Sequence, residues 1–426
     1  GWEPVTVPGQ IRGWSALHGR FGKLPFKDLL QPAITYAREG WPVPPTVADM
    51  WAGDFVKHSA YEGEIYKEWF NAFAPKGRAP VTGEMFACED MAKTLEDIAE
   101  TGGETVYTGA LADKIDAYSR ATGGYIRKSD LAAYQPQWVQ PVEIDYKGYK
   151  VLELPPNCSG MVAQMALNIL KGMELGDRED PLTVHRQIEA MKMAFADGMA
   201  AIAEPSSMKV SVDALLSEQH AARRRAMITH RAQQPAPVDP NCNGTVYLCA
   251  ADEQGNMVSY IQSNYLGFGS GIVIPGTAFG LQNRGNNFSL DEGEPNCIAG
   301  GKRAYHTILP AFLCHGDGRP IGPFGVMGAF MQPQGHVQVV MNTVDWHMNP
   351  QDALNAPRWQ WTGGMTIEVE PTFPEHVAKA LAEMGHHIVR AQDSMSFGRG
   401  QIIWREDNGV YAGATEPRTD GTVAVW

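Results

Sequence analysis

The chain has 426 residues, 44% of them hydrophobic and 19% charged, with a formal net charge of -13. This is an ordinary globular composition, long enough to bury a large core. The acidic balance, with no basic run beyond Arg223-Arg224-Arg225, excludes the electrostatic footprint of a nucleic-acid or anionic-membrane binder and points to a small-molecule partner.

Along the first half, apolar residues at three- and four-residue spacing predict helices over Met91 to Thr101, Gly160 to Leu175, Val184 to Ala203 and Val212 to His230. A strand pair is predicted around Val142 to Leu154. From Arg231 to Gly244 the texture turns rich in Pro, Gln and Asn without periodicity, which predicts an exposed, mobile linker. Strand signals begin abruptly at Thr245. Thr245 to Ala251, a polar turn at Asp252 to Asn256 and Met257 to Asn264 predict a hairpin. Ile308 to Cys314, Val337 to Met341 and Gly400 to Trp404 are read as further strands, and Pro371 to Met384 as a covering helix.

No stretch reaches the ~18 consecutive apolar residues of a membrane span, and Gly1-Trp2-Glu3-Pro4 does not open a signal peptide. A soluble protein is expected. Its six cysteines, Cys88, Cys158, Cys242, Cys249, Cys297 and Cys314, are dispersed with no C-x-x-C spacing, which speaks against a structural zinc site or a disulfide framework and agrees with a reducing, cytoplasmic compartment. The histidines show no metal-ligand spacing. Gly385-His386-His387 follows a predicted helix, where histidine commonly satisfies terminal carbonyls. Neither metal nor cofactor is expected.

H-E-x-x-H, Walker and G-x-S-x-G signatures are absent. Gly267-Phe-Gly-Ser-Gly271 lacks the third glycine of a dinucleotide fingerprint and is read as a loop or bulge needing positive φ. Cys158, before a predicted helix, is the best cysteine-nucleophile candidate, because helix N-terminal amides would lower its pKa. The plainer reading is a small residue in a helix-entry loop beside a capping Asn or Ser.

The informative junction is Asn243-Gly244-Thr245, where linker meets strand. A threonine hydroxyl needs a neighbouring base. If the bond before Thr245 is cut, that base is its own α-amine, whose reference pKa of about 7.7 to 8.0 leaves much of it neutral near neutrality. Gly244 leaves the preceding carbonyl unhindered, so the same hydroxyl can cut the chain. The plainer alternative is a β-branched residue starting a strand.

Several stretches carry a specific resemblance over nearly the whole chain. They are Val7-Pro-Gly-Gln-Ile-Arg-Gly-Trp14, Leu30 to Gly40, the Pro155-Pro156 loop at Cys158, Glu189 to Asp197, Thr245 to Gly271 and Asn349 to Trp359. In this order they resemble the γ-glutamyltransferase family of N-terminal-nucleophile hydrolases. The resemblance implies an α+β fold, a four-layer αββα sandwich, in which a zymogen is cut autocatalytically between Gly244 and Thr245. Residues 1–244 would form the large subunit and 245–426 the small one, with a dimer of heterodimers as a candidate assembly. It implies Thr245 as nucleophile, Ser263 as the hydroxyl that orders it, and Gly328 with Ala329 in place of a paired-glycine oxyanion hole. Ala329 departs from the glycine pair and can donate its N–H only if its φ tolerates a Cβ.

Other departures bear on substrate. Arg284 and Asn287 stand where γ-glutamyltransferases hold the substrate's α-ammonium with a glutamine and an aspartate. Tyr265 replaces another amide of that set, and His306-Thr307 replaces a carboxylate-binding serine pair. A guanidinium repels an ammonium and attracts a carboxylate, so these residues imply an anionic acyl group lacking an α-amine. The alternative for Arg284 is a surface cation in a turn. The connection from Phe288 to Lys302 is short, which favours hydrolysis over acyl transfer. The pattern resembles the branch containing oxamate amidohydrolase and glutaryl-cephalosporin acylases. Competing expectations are a γ-glutamyltransferase or glutathione hydrolase, and an uncut, inactive binding protein. Family members carry a further N-terminal segment with a substrate-binding arginine, so the sequence is expected to be a piece of a longer chain, with a periplasmic or secreted location open for that reason.

Overall fold

The structure is a computed structural model in which residues 1–234 and 245–426 are described. Cys242, Gly244 of the expected processing site, and the linker from residue 235 onward lie outside the described residues. In chain order come helices α1 (Gln10–Phe21) and α2 (Phe26–Glu39), strand β1 (Trp41–Pro42), α3 (Pro45–Ser59), α4 (Lys67–Phe73), β2 (Met85–Phe86), α5 (Glu89–Glu100), α6 (Ala110–Thr122) and α7 (Lys128–Ala133). Strands β3 (Val142–Tyr146) and β4 (Tyr149–Glu153) precede α8 (Gly160–Leu170), α9 (Pro181–Ala201), α10 (Val212–Leu215) and α11 (Glu218–Arg225). Then follow β5 (Thr245–Ala251), β6 (Met257–Ser263), β7 (Val273–Ile274), β8 (Phe279–Gly280), β9 (Ala311–His315), β10 (Pro320–Met327), α12 (Met331–Val344) and α13 (Pro350–Asn355). The chain closes with β11 (Trp359–Gly363), β12 (Thr366–Val369), α14 (Glu375–Glu383), β13 (His387–Arg390), β14 (Arg399–Arg405) and β15 (Tyr411–Thr415).

Packing divides the chain into two compact units, Gly1–Trp138 with Asn264–Asn286, and Val139–Ser263 with Asn287–Trp426. The first is mainly helical. Its cores gather Ile11, Val106, Ile115, Leu131 and Ile272 in one cluster, and Trp51, Trp69 and Val273 in another. The glycine-rich loop at 267–271 belongs here and has the positive φ its composition demands. Gly269 sits at φ 75, and a Cβ there would come within 2.5 Å of the Leu281 carbonyl oxygen.

The second unit is built on a sheet of order β15-β14-β10-β9-β4-β3, six strands among the described residues and antiparallel at each pairing. One face carries α8 and α12 over the large apolar cluster that includes Val162, Phe324, Val326, Val337 and Leu354. The other carries the β5–β6 hairpin, whose Tyr247 and Ile261 pack with Met327. Strand β10 is buried along Ile321 to Met327 because it is covered on both faces, which gives a continuous apolar run in place of alternation.

Several sequence expectations need correction. Val337 to Met341 lies inside helix α12, not in a strand. This helix is buried almost all round: its polar Gln334, Gln338 and Asn342 donate to the buried Trp361, Trp359 and Ala353 carbonyls instead of facing water, and its short apolar run imitates a strand. The helix expected over Val212 to His230 is two short ones, broken where the Ser217 side chain caps α11 by accepting from the His220 N–H. Residues 231–233, expected to be loose linker, are tethered: Ala232 N–H donates to the Met384 carbonyl at 2.9 Å and Gln233 N–H to Glu189 Oε2 at 3.2 Å.

Candidate active site

Thr245 is the first residue of β5 and only 6% exposed. In the hairpin register it faces Ser263, the last residue of β6, and the two hydroxyls lie 3.0 Å apart. Alternation along β5 puts Thr245 and Tyr247 on one face. That face is turned toward β10, since a Cβ added at Gly325 would meet the Tyr247 ring at 2.6 Å. Strand β10 therefore needs glycine opposite Tyr247 for the hairpin to approach, and the nucleophile candidate is carried into the layer between hairpin and sheet.

The turn from β10 into α12 holds Gly328 at φ 137 and Ala329 at φ 48. Their carbonyls accept from Met331 N–H at 2.8 Å and Gln332 N–H at 3.1 Å, which starts the helix, while neither of their own N–H groups donates to another described group. Ala329 meets the condition its sequence position set: its φ is left-handed, a region an alanine enters at a cost of about 1–2 kcal/mol. The turn is braced from behind. His336 Nε2 accepts from Val326 N–H at 3.0 Å, so its proton sits on Nδ1, which faces Glu153 Oε1 at 2.6 Å. This buried pair, which sequence reasoning missed, ties β4, β10 and α12 together two residues before Gly328; its members are 183 positions apart, beyond any local motif.

The expected substrate residues fall in both units. Tyr265 and Arg284 belong to the first. Arg284 is 4% exposed, and its guanidinium lies over the Tyr265 ring at 4.5 Å from the centroid, a cation–π contact. The surface-cation alternative for Arg284 is thereby excluded. Tyr265 is held at φ 78, with the flanking chain fixed by Leu266 N–H to Asn283 Oδ1 at 3.1 Å and Asn283 N–H to the Asn264 carbonyl at 3.1 Å. Asn287, His306 and Thr307 belong to the second unit. Asn287 Nδ2 donates to the Tyr305 carbonyl at 2.9 Å, so half of its amide is already committed. The 304–307 segment is fastened to the Pro-Pro loop by Asn157 Nδ2 to the Ala304 carbonyl at 2.7 Å and by Ser159 N–H to the His306 carbonyl at 2.9 Å. Cys158 lies in that helix-entry loop, bridged to His306, while Thr307 is buried with its carbonyl accepting from Gln332 Nε2 at 2.7 Å.

His185, Glu189 and His386 bring possible metal-ligand atoms together, but the space is claimed by a cation. Lys192 Nζ donates to Glu189 Oε1 at 2.8 Å, to the Gln233 carbonyl at 3.1 Å and faces His386 Nδ1 at 3.4 Å. The histidines complete a one-way chain of hydrogen bonds, His386 Nε2 to His185 Nδ1 at 2.8 Å and His185 Nε2 to the Thr229 carbonyl at 2.8 Å. The His386 ring thus serves this buried network and not the carbonyls at its helix end, where its backbone N–H donates to the Leu381 carbonyl at 3.1 Å. Burial, with the Lys192 charge and His185 adding to it, pushes its pKa down to about 3. A second cation there would meet Lys192 at close range.

No helix among the described residues is long and apolar enough to cross a membrane. The family model described as gamma-glutamyltranspeptidase matches residues 1–426. A glutathione hydrolase-like proenzyme of Bacillus subtilis is 34% identical over 98% of this chain and 80% of its own length. An oxamate amidohydrolase proenzyme of Klebsiella pneumoniae is 32% identical over 99% of this chain and 80% of its own. The crystal structure of a cephalosporin acylase from Bacillus halodurans superimposes with a TM-score of 0.97 at 54% identity, covering 100% of this chain and 79% of that one. The α+β N-terminal-nucleophile hydrolase fold expected from the sequence is the fold found. The chain belongs to the gamma-glutamyltranspeptidase family, as an enzyme of its hydrolase and amidohydrolase branch.

Proposed function

We propose that the protein is a precursor cut between Gly244 and Thr245, and that Thr245, as the new N-terminus of a small subunit 245–426, hydrolyses amides whose acyl group carries a carboxylate and no α-amine. The observation that carries this reading is the Thr245–Ser263 hydroxyl pair at 3.0 Å at the open end of the β5–β6 hairpin. The proenzyme names of the relatives support the cut. In the precursor the Thr245 hydroxyl adds to the Gly244 carbonyl, the C–N bond breaks to give an ester, and water releases the Gly244 carboxylate and the free Thr245 amine.

In turnover the amine takes the hydroxyl proton as Oγ1 attacks the substrate carbonyl. The developing oxyanion is received by the Gly328 and Ala329 N–H groups, donors worth roughly 2.7–4 kcal/mol each in sites of this kind. The protonated amine then hands its proton to the leaving nitrogen, the C–N bond breaks, and water attacks the acyl-Thr245 ester by the same route in reverse. For recognition of the acyl carboxylate the first unit offers a cation, Arg284, with Tyr265 beneath it, and the second offers the hydrogen-bonding side chains of His306, Thr307 and Asn287. The acylase and amidohydrolase names of the relatives support this class.

The test is intact-mass measurement combined with turnover. The 46.6 kDa chain should give a fragment beginning at Thr245, and Thr245→Ala should stay whole and inactive. The cut protein should hydrolyse glutaryl or oxalyl amides in preference to glutathione. A chain that remains uncut on prolonged incubation defeats the mechanism, and turnover of glutathione alone defeats the substrate assignment.

A further inference from the structure

Arg399 begins β14 and is only 6% exposed. Its Cα pairs with that of Met327 in the β10–β14 ladder, so both side chains leave the sheet on one face. Met327 packs with Tyr247 and Ile261 of the hairpin, which makes that face the one Thr245 is turned toward. The backbone there is also pressed against the oxyanion turn: a Cβ at Gly328 would come within 3.1 Å of Gly398 Cα. Arg399 is therefore planted beside Gly328, in the same layer as the nucleophile candidate.

A guanidinium has five N–H donors and loses strongly favourable hydration when buried without an anion. The partners of Arg399 are poor. Its NH1 meets Met327 Sδ at 3.9 Å, its NH2 meets Met395 Sδ at 3.8 Å and the Met395 carbonyl at 3.4 Å, and its buried Nε has no hydrogen-bond partner. Among the described residues no carboxylate lies within ion-pair distance of it. Glu416 and Asp420 act on it through charge alone, against the lowering of its pKa by burial. The Glu416 oxygens are spent elsewhere, Oε2 on Arg358 at 2.8 Å and on Gly400 N–H at 2.8 Å, and Oε1 on Arg418 at 2.5 Å. The contrast with Arg358 and Arg418, comparably buried and each given a carboxylate, is the telling feature.

We propose that Arg399 is an anion-binding residue of the active site, whose guanidinium takes a carboxylate of the substrate. The proposal rests on the Thr245 amidohydrolase reading for the identity of the site. It adds a cation within Thr245's own unit, distinct from Arg284. The carboxylate comes either from the acyl group or from the leaving amine.

Titration calorimetry on the purified protein separates these with two probes, glutarate for the acyl side and N-butanoylglycine, whose only carboxylate lies beyond the amide. Butanamide serves as the neutral control. R399M should weaken one of the two anions by about 10- to 100-fold, the worth of a hydrogen bond to a charged group, and leave butanamide unchanged. Loss with glutarate assigns the acyl side, and loss confined to N-butanoylglycine assigns the leaving side. Equal affinity of wild type and R399M for both anions, equal losses on all three probes, or no anion binding by wild type overturns the proposal. If R399M does not fold, R399K decides: a point charge without the two-pronged fork should still lose affinity for the anion, and unchanged affinity counts against the proposal. Binding requires neither chain cleavage nor turnover, so a failure of processing would defeat the Thr245 reading and leave this result standing.

Discussion

Gly328 and Ala329 occupy adjacent positions in the turn from β10 into α12, the proposed oxyanion hole, yet they should respond in opposite ways to exchange. At φ 137 Gly328 holds a conformation that a side chain rarely adopts, and its missing Cβ makes room for Gly398 at 3.1 Å. Gly328→Ala should destabilise by about 1–3 kcal/mol and lower kcat by tilting the donor. Ala329 already sits at φ 48, so Ala329→Gly should relieve strain while loosening the unfolded chain, leaving stability within about 1 kcal/mol of wild type and activity largely intact. Thermal unfolding and steady-state kinetics on the pair check this, and a harmless Gly328→Ala would argue that the turn is not an oxyanion hole. At this scale the proposal for Thr245 is legible in the sequence, because a Pro/Gln/Asn-rich stretch gives way to strand signals at it and because the family resemblance marks it. The proposal for Arg399 is not. Its meaning depends on pairing with Met327, a residue 72 positions away, and nothing in Phe397-Gly398-Arg399-Gly400 announces it.

The elements that sequence reading found best are those with one wet and one dry face, such as the β5–β6 hairpin, where burial alternates along β5. Those it missed are covered on all sides, as α12 and β10 are, or short, as β11 to β13 are. The His185–His386–Lys192–Glu189 network is an element-scale feature of the second kind, joining α9 to the turn after α14 and to residues 229–233. It sets a pH dependence. With a pKa near 3 in the folded chain against about 6.5 unfolded, His386 binds a proton in the unfolded state first. Stability from this group is therefore complete above about pH 6.5 and is lost as pH falls toward 3, on the order of 4 kcal/mol across the window. Urea midpoints at pH 7 and pH 4.5 measure it. His386→Gln should flatten that slope, and an unchanged slope in this variant would show that the acid sensitivity lies elsewhere.

For the whole molecule, the expected cut at Gly244–Thr245 and the compact units are different partitions. The second unit contains β3, β4, α8 and α9 from before the cut, and β9, β10, β14 and α12 from after it. Strand β4 pairs with β9 along Tyr149 to Leu152 and His315 to Phe312, and a single apolar cluster contains Val162, Leu167 and Ile188 together with Phe324, Val337 and Ile402. The two chains should consequently stay together after cleavage, running as one species in gel filtration and separating only in denaturant. Separate elution under native conditions would contradict the shared sheet. That sheet also bears on how the protein can be made. Neither half owns a complete core, so the halves expressed from two genes should be insoluble singly and complement one another when co-expressed. Reconstitution would then supply a free threonine amine once the initiator methionine is removed, with the Gly244–Thr245 bond never made, and would separate the chemistry of self-cleavage from the chemistry of turnover.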